Sequence, residues 1–195
     1  MVKKYKPEYY LRHSASNNLS SNIILEILKN FVSPNTILDI GCGSAEWLNN
    51  CKRIFPNSNI LGIDGKWINQ NQLKIDKNFY VSLDLNKGIS PEILKKKFDL
   101  TICLETLSDI KLENSLNLLN QICNISDHVL FSSGTPIQNH EPHVNQKWQS
   151  FWVNEFKKRK FVLADIIRSE VWDNKEVSPW LKQNCFLFFN EKINS

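Results

Sequence analysis

Residues 36 to 43 read Thr36-Ile37-Leu38-Asp39-Ile40-Gly41-Cys42-Gly43, and Leu61-Gly62-Ile63-Asp64-Gly65 follows one helix-length later. The first stretch is an apolar run that ends in an acid and a Gly-x-Gly turn, ahead of a helix-like segment. That order reads as a strand entering a tight turn. The second apolar run also ends in an acid. Glycines let the backbone come close to a ligand, and a carboxylate at the tip of the next strand can accept hydrogen bonds from ribose hydroxyls. The pairing predicts a site for an adenosine-containing cofactor, with Asp39, Gly41, Cys42, Gly43, Asp64 and Gly65 around it.

The residues after the turn narrow the choice of cofactor. A dinucleotide fingerprint places a further glycine three residues after the second one. This chain has Glu46 there, preceded by Ala45. A pyrophosphate would meet that carboxylate at a helix start, where anions normally bind. This counts against NAD, FAD and a nicotinamide-dependent dehydrogenase. The chain also lacks the Gly-Lys-Ser or Gly-Lys-Thr of a phosphate loop. A cofactor with ribose and adenine but no phosphate suits these residues better, and S-adenosylmethionine is one.

Ile37-Leu-Asp-Ile-Gly-Cys-Gly-Ser-Ala45 resembles the first motif of class I S-adenosylmethionine-dependent methyltransferases, with Ala45 at the usual third glycine. Ile60-Leu-Gly-Ile-Asp64 resembles the second motif. Ser82-Leu-Asp84-Leu85 resembles the third, whose acid in that family meets the adenine amine. Phe98 to Leu104, followed by Glu105-Thr-Leu, resembles the fourth strand and the residues after it. The resemblance covers residues 36 to 132 and adds Asp84, Leu85 and Leu104 to the expected cofactor contacts. It implies an α/β, doubly wound, Rossmann-like fold. The sheet would be mostly parallel, with about seven strands, an antiparallel final strand and helices on both faces.

The chain has 195 residues, of which 42% are hydrophobic and 23% charged. This fits one domain over 1–195 with a sizeable core. We divide it into an N-terminal lid and helix (1–35), a cofactor-binding half (36–132) and a substrate-side half (133–195). There is neither a signal-peptide core at the amino terminus nor an apolar run long enough to span a bilayer. The expectation is a cytoplasmic protein without membrane contact. The cysteines are scattered without a Cys-x-x-Cys pair, which argues against a zinc knuckle and against disulfides. A net charge of +4 is too mild to imply nucleic acid. Lys95-Lys96-Lys97 and Lys157-Lys158-Arg159-Lys160 read as solvated helix ends, where cations are stabilising.

Apolar spacing predicts helices over 19–32, 44–54, 113–123 and 146–158, and a short one opened by Ser90-Pro91. Strands are expected near 36–40, 59–63, 79–83, 98–104, 127–132, 160–168 and 184–190. Alternating strands and helices imply a parallel sheet whose ligands sit beyond the carboxyl ends of its strands. Asp39, Asp64, Asp84 and Glu105 all fall at such ends.

The segment after the fifth strand holds His140 and His143 on the rim expected for the cofactor. We expect His143 first, and His140 second, to take the proton from an acceptor hydroxyl, with Glu105 helping to position the acceptor. A metal site from His140, Glu141 and His143 is disfavoured because Pro142 makes converging ligands awkward. The segment His143-Val-Asn-x-x-Trp148-x-Ser-Phe-Trp152, followed by Arg168, Trp172, Trp180 and Gln183-Asn184, is similar to a subgroup of small stand-alone methyltransferase domains. In that subgroup a strand ends in the arginine and the Gln-Asn pair opens the last strand. The similarity makes Trp148, Trp152 and Arg168 candidate substrate residues, and Tyr9 and Arg12 join them as parts of a lid. Trp148 and Trp152 also read as core by their helical spacing.

The expected reaction is in-line methyl transfer to a hydroxyl of a small molecule or glycan. The alternatives are an RNA or protein methyltransferase, or a cofactor-binding partner protein without catalysis. DNA is disfavoured. No Asn/Asp/Ser-Pro-Pro-aromatic motif follows strand four, no Pro-Cys nucleophile occurs, and there is no separate target-recognition region.

Overall fold

The computed structural model describes residues 7–136, 138 and 143–194, with side chains described from residue 13 to residue 193. The strands β1 (Thr36–Ile40), β2 (Asn59–Asp64), β3 (Tyr80–Ser82), β4 (Phe98–Leu104), β5 (Ser126–Ser132), β6 (Phe161–Ala164) and β7 (Phe186–Asn190) form one sheet. Their order is β3-β2-β1-β4-β5-β7-β6. The first five strands pair in parallel, and β7 runs antiparallel to both β5 and β6. The expected reversed last strand is present.

The strands read as continuous apolar runs because both faces of the sheet are covered. Successive residues alternate between the two layers. Ile37, Leu100, Ile102, Leu130 and Leu187 enter one core, while Leu38, Cys103, Val129, Phe131 and Phe188 enter the other. The first core is closed by α1 (Pro7–Leu28), α2 (Glu46–Ile54), α6 (Arg168–Val171) and α7 (Pro179–Asn184). The second is closed by α3 (Pro91–Leu94), α4 (Leu112–Ile125) and α5 (Gln149–Lys158). The basic runs do end helices. Lys158 and Arg159 both pair with Glu155 on α5.

Several boundaries differ from the expected ones, each for a visible reason. Helix α1 begins at Pro7, well before residue 19, and its middle is held to α2 by polar contacts that apolar periodicity does not register. Asn50 Nδ2 on α2 donates to Asn18 O, Asn18 Oδ1 and Ser21 Oγ at 3.1, 3.0 and 2.7 Å. The helix stops at Leu28, where Phe31 N turns back onto Leu28 O. Strand β6 ends at Ala164 rather than running to Arg168. Asp165 and Arg168 then pair across the start of α6, with Arg168 Nε 2.9 Å from Asp165 Oδ1. Arg168 therefore opens a helix instead of closing a strand. Gln183 and Asn184 end α7 instead of opening β7.

Strand order reverses between β1 and β4, since β2 and β3 lie on one side of β1 and β5 on the other. In an open α/β sheet the crevice at that switch point, past the carboxyl ends, is where ligands bind.

Candidate active site

The turn after β1 is built around Gly41, whose φ is +76°. A Cβ there would lie 2.1 Å from Thr106 Oγ1, which itself donates to Ile40 O at 3.0 Å. Glycine is thus required both by the left-handed backbone and by the close approach of the post-β4 turn. Ala45 occupies the third position of the motif with φ +66°, so a methyl replaces hydrogen in glycine's backbone conformation. Asp64, at the end of β2, ties the turn to the next strand. Its two oxygens accept from Gly43 N at 2.8 Å and Gly65 N at 2.5 Å.

These elements border a cavity at the switch point, lined by Asp39, Gly41, Cys42, Gly43, Ser44, Glu46 and Asp64 from the β1 and β2 side. Leu104, Glu105, Thr106, Asp109 and Ile110 close it from the end of β4, and Leu85 and Asn86 from the turn after β3. Over it lie His13 and Asn17 of α1, Trp67, and Trp180 and Leu181 of α7. Of the expected cofactor contacts, Asp39, Gly41, Cys42, Gly43, Asp64, Leu85 and Leu104 line this cavity. Gly65 sits directly under the ring of Trp67. Asp84 is exposed and outside the lining; its carboxylate caps the next turn by accepting from Asn86 N at 3.1 Å.

The electrostatics of the cavity are unusual. Asp39 is 3% exposed and its Oδ2 has no hydrogen-bond partner among the described residues. Burial, with Asp64 and Glu46 nearby, pushes its carboxyl well above the ordinary range. Burial likewise lifts Asp64 to about 6 despite the two backbone N–H groups that favour its charged form. Glu46 is buried at the start of α2 and accepts from Ser44 Oγ at 2.9 and 2.8 Å. Five carboxylates line the cavity, and no lysine or arginine is among its described lining residues. Buried acids without cations of their own suit a ligand that brings positive charge. A sulfonium with an amino group does so, whereas a pyrophosphate would be repelled. Asp64 retains lone pairs for a ribose. The residues present therefore fit S-adenosylmethionine.

Glu105 stands out on geometry. It is a non-glycine residue at φ +54° immediately after β4, a conformation that costs of order 1–3 kcal/mol and clusters at functional sites. Its backbone N–H is clamped by Ser132 O at 3.0 Å and Ser132 Oγ at 3.1 Å. Its Oε1 is buried and has no hydrogen-bond partner among the described residues. Burial raises its carboxyl to about 7, against the opposing pull of Ser132 and His143.

His143 lies behind this wall and is not among the lining residues. Its side chain is 4% exposed, and Nδ1 is 2.8 Å from Asp109 Oδ1. Nε2 lies against Gly134, where an added Cβ would come within 2.9 Å. The next two residues continue the attachment. Val144 N and Asn145 N donate to Ser108 O at 2.8 and 2.9 Å, and Asn145 Nδ2 reaches Ser115 Oγ at 3.2 Å. His143-Val144-Asn145 is thus a latch that fastens the post-β5 segment to the post-β4 turn and holds Asp109 at the cavity wall. His140 lies outside the described residues.

The expected substrate residues are dispersed. Trp152 is 2% exposed and packs on Phe131 with centroids 5.4 Å apart. Trp148, just before α5, is 51% exposed and does not line the cavity. Arg168 is held by Asp165 and lies 4.5 Å over the Phe186 ring. Tyr9 and Arg12 fall on α1, but their side chains are outside the described residues. The structure brings in Asn17, Trp67 and Asp109, which sequence reasoning passed over, and gives a place in the lining to His13 of the expected lid and to Trp180 of the second similarity. Asp109 alone had an accessible signal, as an acid in the short loop beyond Glu105. Among the described residues no His, Cys, Asp and Glu group could hold a metal ion, and no helix is long and apolar enough to cross a membrane.

Known structures share this architecture at low sequence identity. The plantazolicin methyltransferase BpumL, in complex with a pentazolic desmethylPZN analog and SAH, matches with a TM-score of 0.62 at 18% identity, covering 94% of this chain and 88% of that one. Magnesium protoporphyrin IX methyltransferase (ChlM) from Synechocystis PCC 6803, with bound SAM, matches with a TM-score of 0.64 at 12% identity over 96% and 85% of the two chains. An S-adenosylmethionine-dependent methyltransferase from Clostridium acetobutylicum ATCC 824 matches with a TM-score of 0.62 at 13% identity over 94% and 96%. No curated protein matches by sequence. A family model described as a methyltransferase domain matches residues 11–174, most of the chain and all of the cavity except its α7 wall, and the protein belongs to that family of enzymes.

Proposed function

We propose that this protein transfers a methyl group from S-adenosylmethionine to a hydroxyl of a small molecule or glycan, with Glu105 taking the hydroxyl proton. The observation that carries the reading is the buried Oε1 of Glu105 at the cavity wall, without a hydrogen-bond partner among the described residues and on a strained backbone. Asp39, Asp64 and the Gly41–Gly43 turn hold the donor. When bound, the donor supplies an electrophilic methyl on a sulfonium. What remains for the chain is to orient the acceptor, exclude water and accept one proton.

A carboxyl lifted to about 7 by burial is close to the best proton acceptor for neutral pH. At pH 8 it is mostly ionised and can accept the hydroxyl proton as the new C–O bond forms. Positioned proton transfer of this kind contributes roughly 10²–10⁴-fold. His143 serves through Asp109 in this scheme, as a positioning residue, which replaces its expected role as the base.

Purified protein is incubated with methyl-labelled donor and a panel of hydroxylated metabolites and sugars. Label should appear on oxygen, with a rate that rises through pH 7. Glu105→Gln should lower turnover by roughly 10²-fold or more while S-adenosylhomocysteine binding survives. Label found only on RNA or protein, or a Glu105→Gln enzyme with normal turnover, would overturn the proposal.

A further inference from the structure

We infer that the methyl acceptor is itself a cation, an amino-bearing small molecule, received by a wall made of Glu105, Asp109, Trp180 and His13. This rests on reading the cavity as a methyl-transfer site. The five lining carboxylates divide by element. Asp39, Glu46 and Asp64 belong to the ends of β1 and β2 and the start of α2. They are the donor's half, and the donor, with a sulfonium, an ammonium and a carboxylate, brings one net positive charge. Glu105 and Asp109 belong to a different element, the turn beyond β4, and remain over as surplus negative charge.

Two independent observations show that this second half is built to meet something. Glu105 Oε1 is buried and has no hydrogen-bond partner among the described residues. Such an atom is rare in native structures and implies a donor from outside. Aromatic rings also converge on the same place. Helix α7 contributes Trp180 and Leu181 to the same cavity lining as Glu105 and Asp109. The Trp180 ring stands 6.3 Å from that of His13, tilted by 59°. An ammonium placed there gains from the carboxylates and from the faces of the rings together. An anion finds acids and no lysine or arginine among the described lining residues. Asp109 Oδ1 lies 2.8 Å from His143 Nδ1, and the latch of His143, Val144 and Asn145 keeps the Asp109 carboxylate at the wall.

The test uses the full chain saturated with S-adenosylhomocysteine. It is titrated with 2-phenylethylamine, 2-phenylethanol and 3-phenylpropionate, which are cationic, neutral and anionic at pH 7.5, and tryptophan fluorescence is followed. The cation should bind about tenfold or more tighter than the neutral alcohol, with the anion weakest. In Asp109→Asn the gap between cation and alcohol should shrink several-fold while S-adenosylhomocysteine affinity stays within about twofold; that unchanged affinity also reports that the variant is folded. Trp180→Leu should weaken the cation more than the alcohol. Equal binding of cation and alcohol to the unmodified protein, or tighter binding of the anion, would overturn the inference. Methyl transfer to the nitrogen of an amino alcohol, the ammonium first giving a proton to Glu105 to free its lone pair, would support it while overturning the hydroxyl reading, so the two fail separately.

Discussion

The two ends of the sheet put burial to opposite uses. Under β5, β7 and β6 lies a layer of rings. Phe156 and Phe188 stack at 3.8 Å and 9°, and Phe131 meets Phe156 edge-on at 5.1 Å. These groups lose nothing by leaving water. Beyond β1, β2 and β4, burial falls on carboxyl groups. Asp39 and Glu105 each keep an oxygen without a hydrogen-bond partner among the described residues, and Asp39, Asp64 and Glu105 are all pushed toward their neutral forms. The aromatic layer stabilises the fold and the acid wall draws on that stability. A methyltransferase gains from this division, because a site that receives charge must be incompletely satisfied before the charge arrives.

The contrast is broken most severely from the aromatic side. Phe156→Ala removes a fully buried ring from the stack and should cost about 3–5 kcal/mol in chemical denaturation. Its effect on S-adenosylhomocysteine affinity, measured on the folded fraction, should be small. An equal loss of affinity would show that the two regions are coupled.

The acid side should respond to pH in a direction opposite to the usual acidic-residue case. An acid whose folded pKa lies above its ordinary value binds protons on folding, so its stabilising effect is greatest below that range and fades as pH rises through it. Asp64 acts between 3.8 and about 6, and Glu105 between 4.5 and about 7. Each amounts to about 3 kcal/mol at full titration. Ligand-free protein should therefore melt at a lower temperature at pH 8 than at pH 5. Glu105→Gln should flatten that slope and raise the melting temperature at pH 8, even as it lowers turnover. A variant less stable than the parent at pH 8 would mean that the Glu105 carboxylate is a structural asset.

The latch predicts an intermediate effect. His143→Ala leaves Asp109 without its neighbour and opens space against Gly134. It should reduce kcat/KM by about tenfold and stability by about 1–3 kcal/mol. His143→Gln, which retains a hydrogen-bond donor, should recover part of kcat/KM. If His143 were instead the proton acceptor, Gln would rescue nothing and the pH-rate profile would lose its rising limb.

The smallest effect is expected far from both regions. Lys160, exposed in the turn between α5 and β6, has φ +64°. Lys160→Gly should relieve the left-handed strain and stabilise by about 1 kcal/mol, with unchanged kinetics.

How much of this was legible beforehand varies along the chain. The cofactor half was, because its signals are local. A buried parallel strand writes itself as a continuous apolar run, and a turn that must approach a ligand writes itself as Gly41 and Gly43. The limits of β4 are those expected, and those of β2 and β5 differ by one residue. Arg168 was misplaced because a pair with Asp165 leaves no periodic trace and resembles a strand end. Trp148 and Trp152 share a helical spacing, yet one is half exposed and the other buried, since α5 only begins after Trp148.

The sequence by itself determined the strands of the sheet, the glycine turn and the acids at the strand tips, each of which follows from hydrophobic periodicity or backbone sterics within a few residues; the reversal at β7 came from the family resemblance. Only the tertiary structure decided which acids meet. It turned Asp84 outward to cap its own turn, placed Asp109 beside Glu105, set His143 behind them, and brought Trp180 from the far end of the chain over the cavity. Those pairings depend on how α1, α7 and the post-β5 segment settle on the rim, and contacts between residues so far apart in the chain have no period to read.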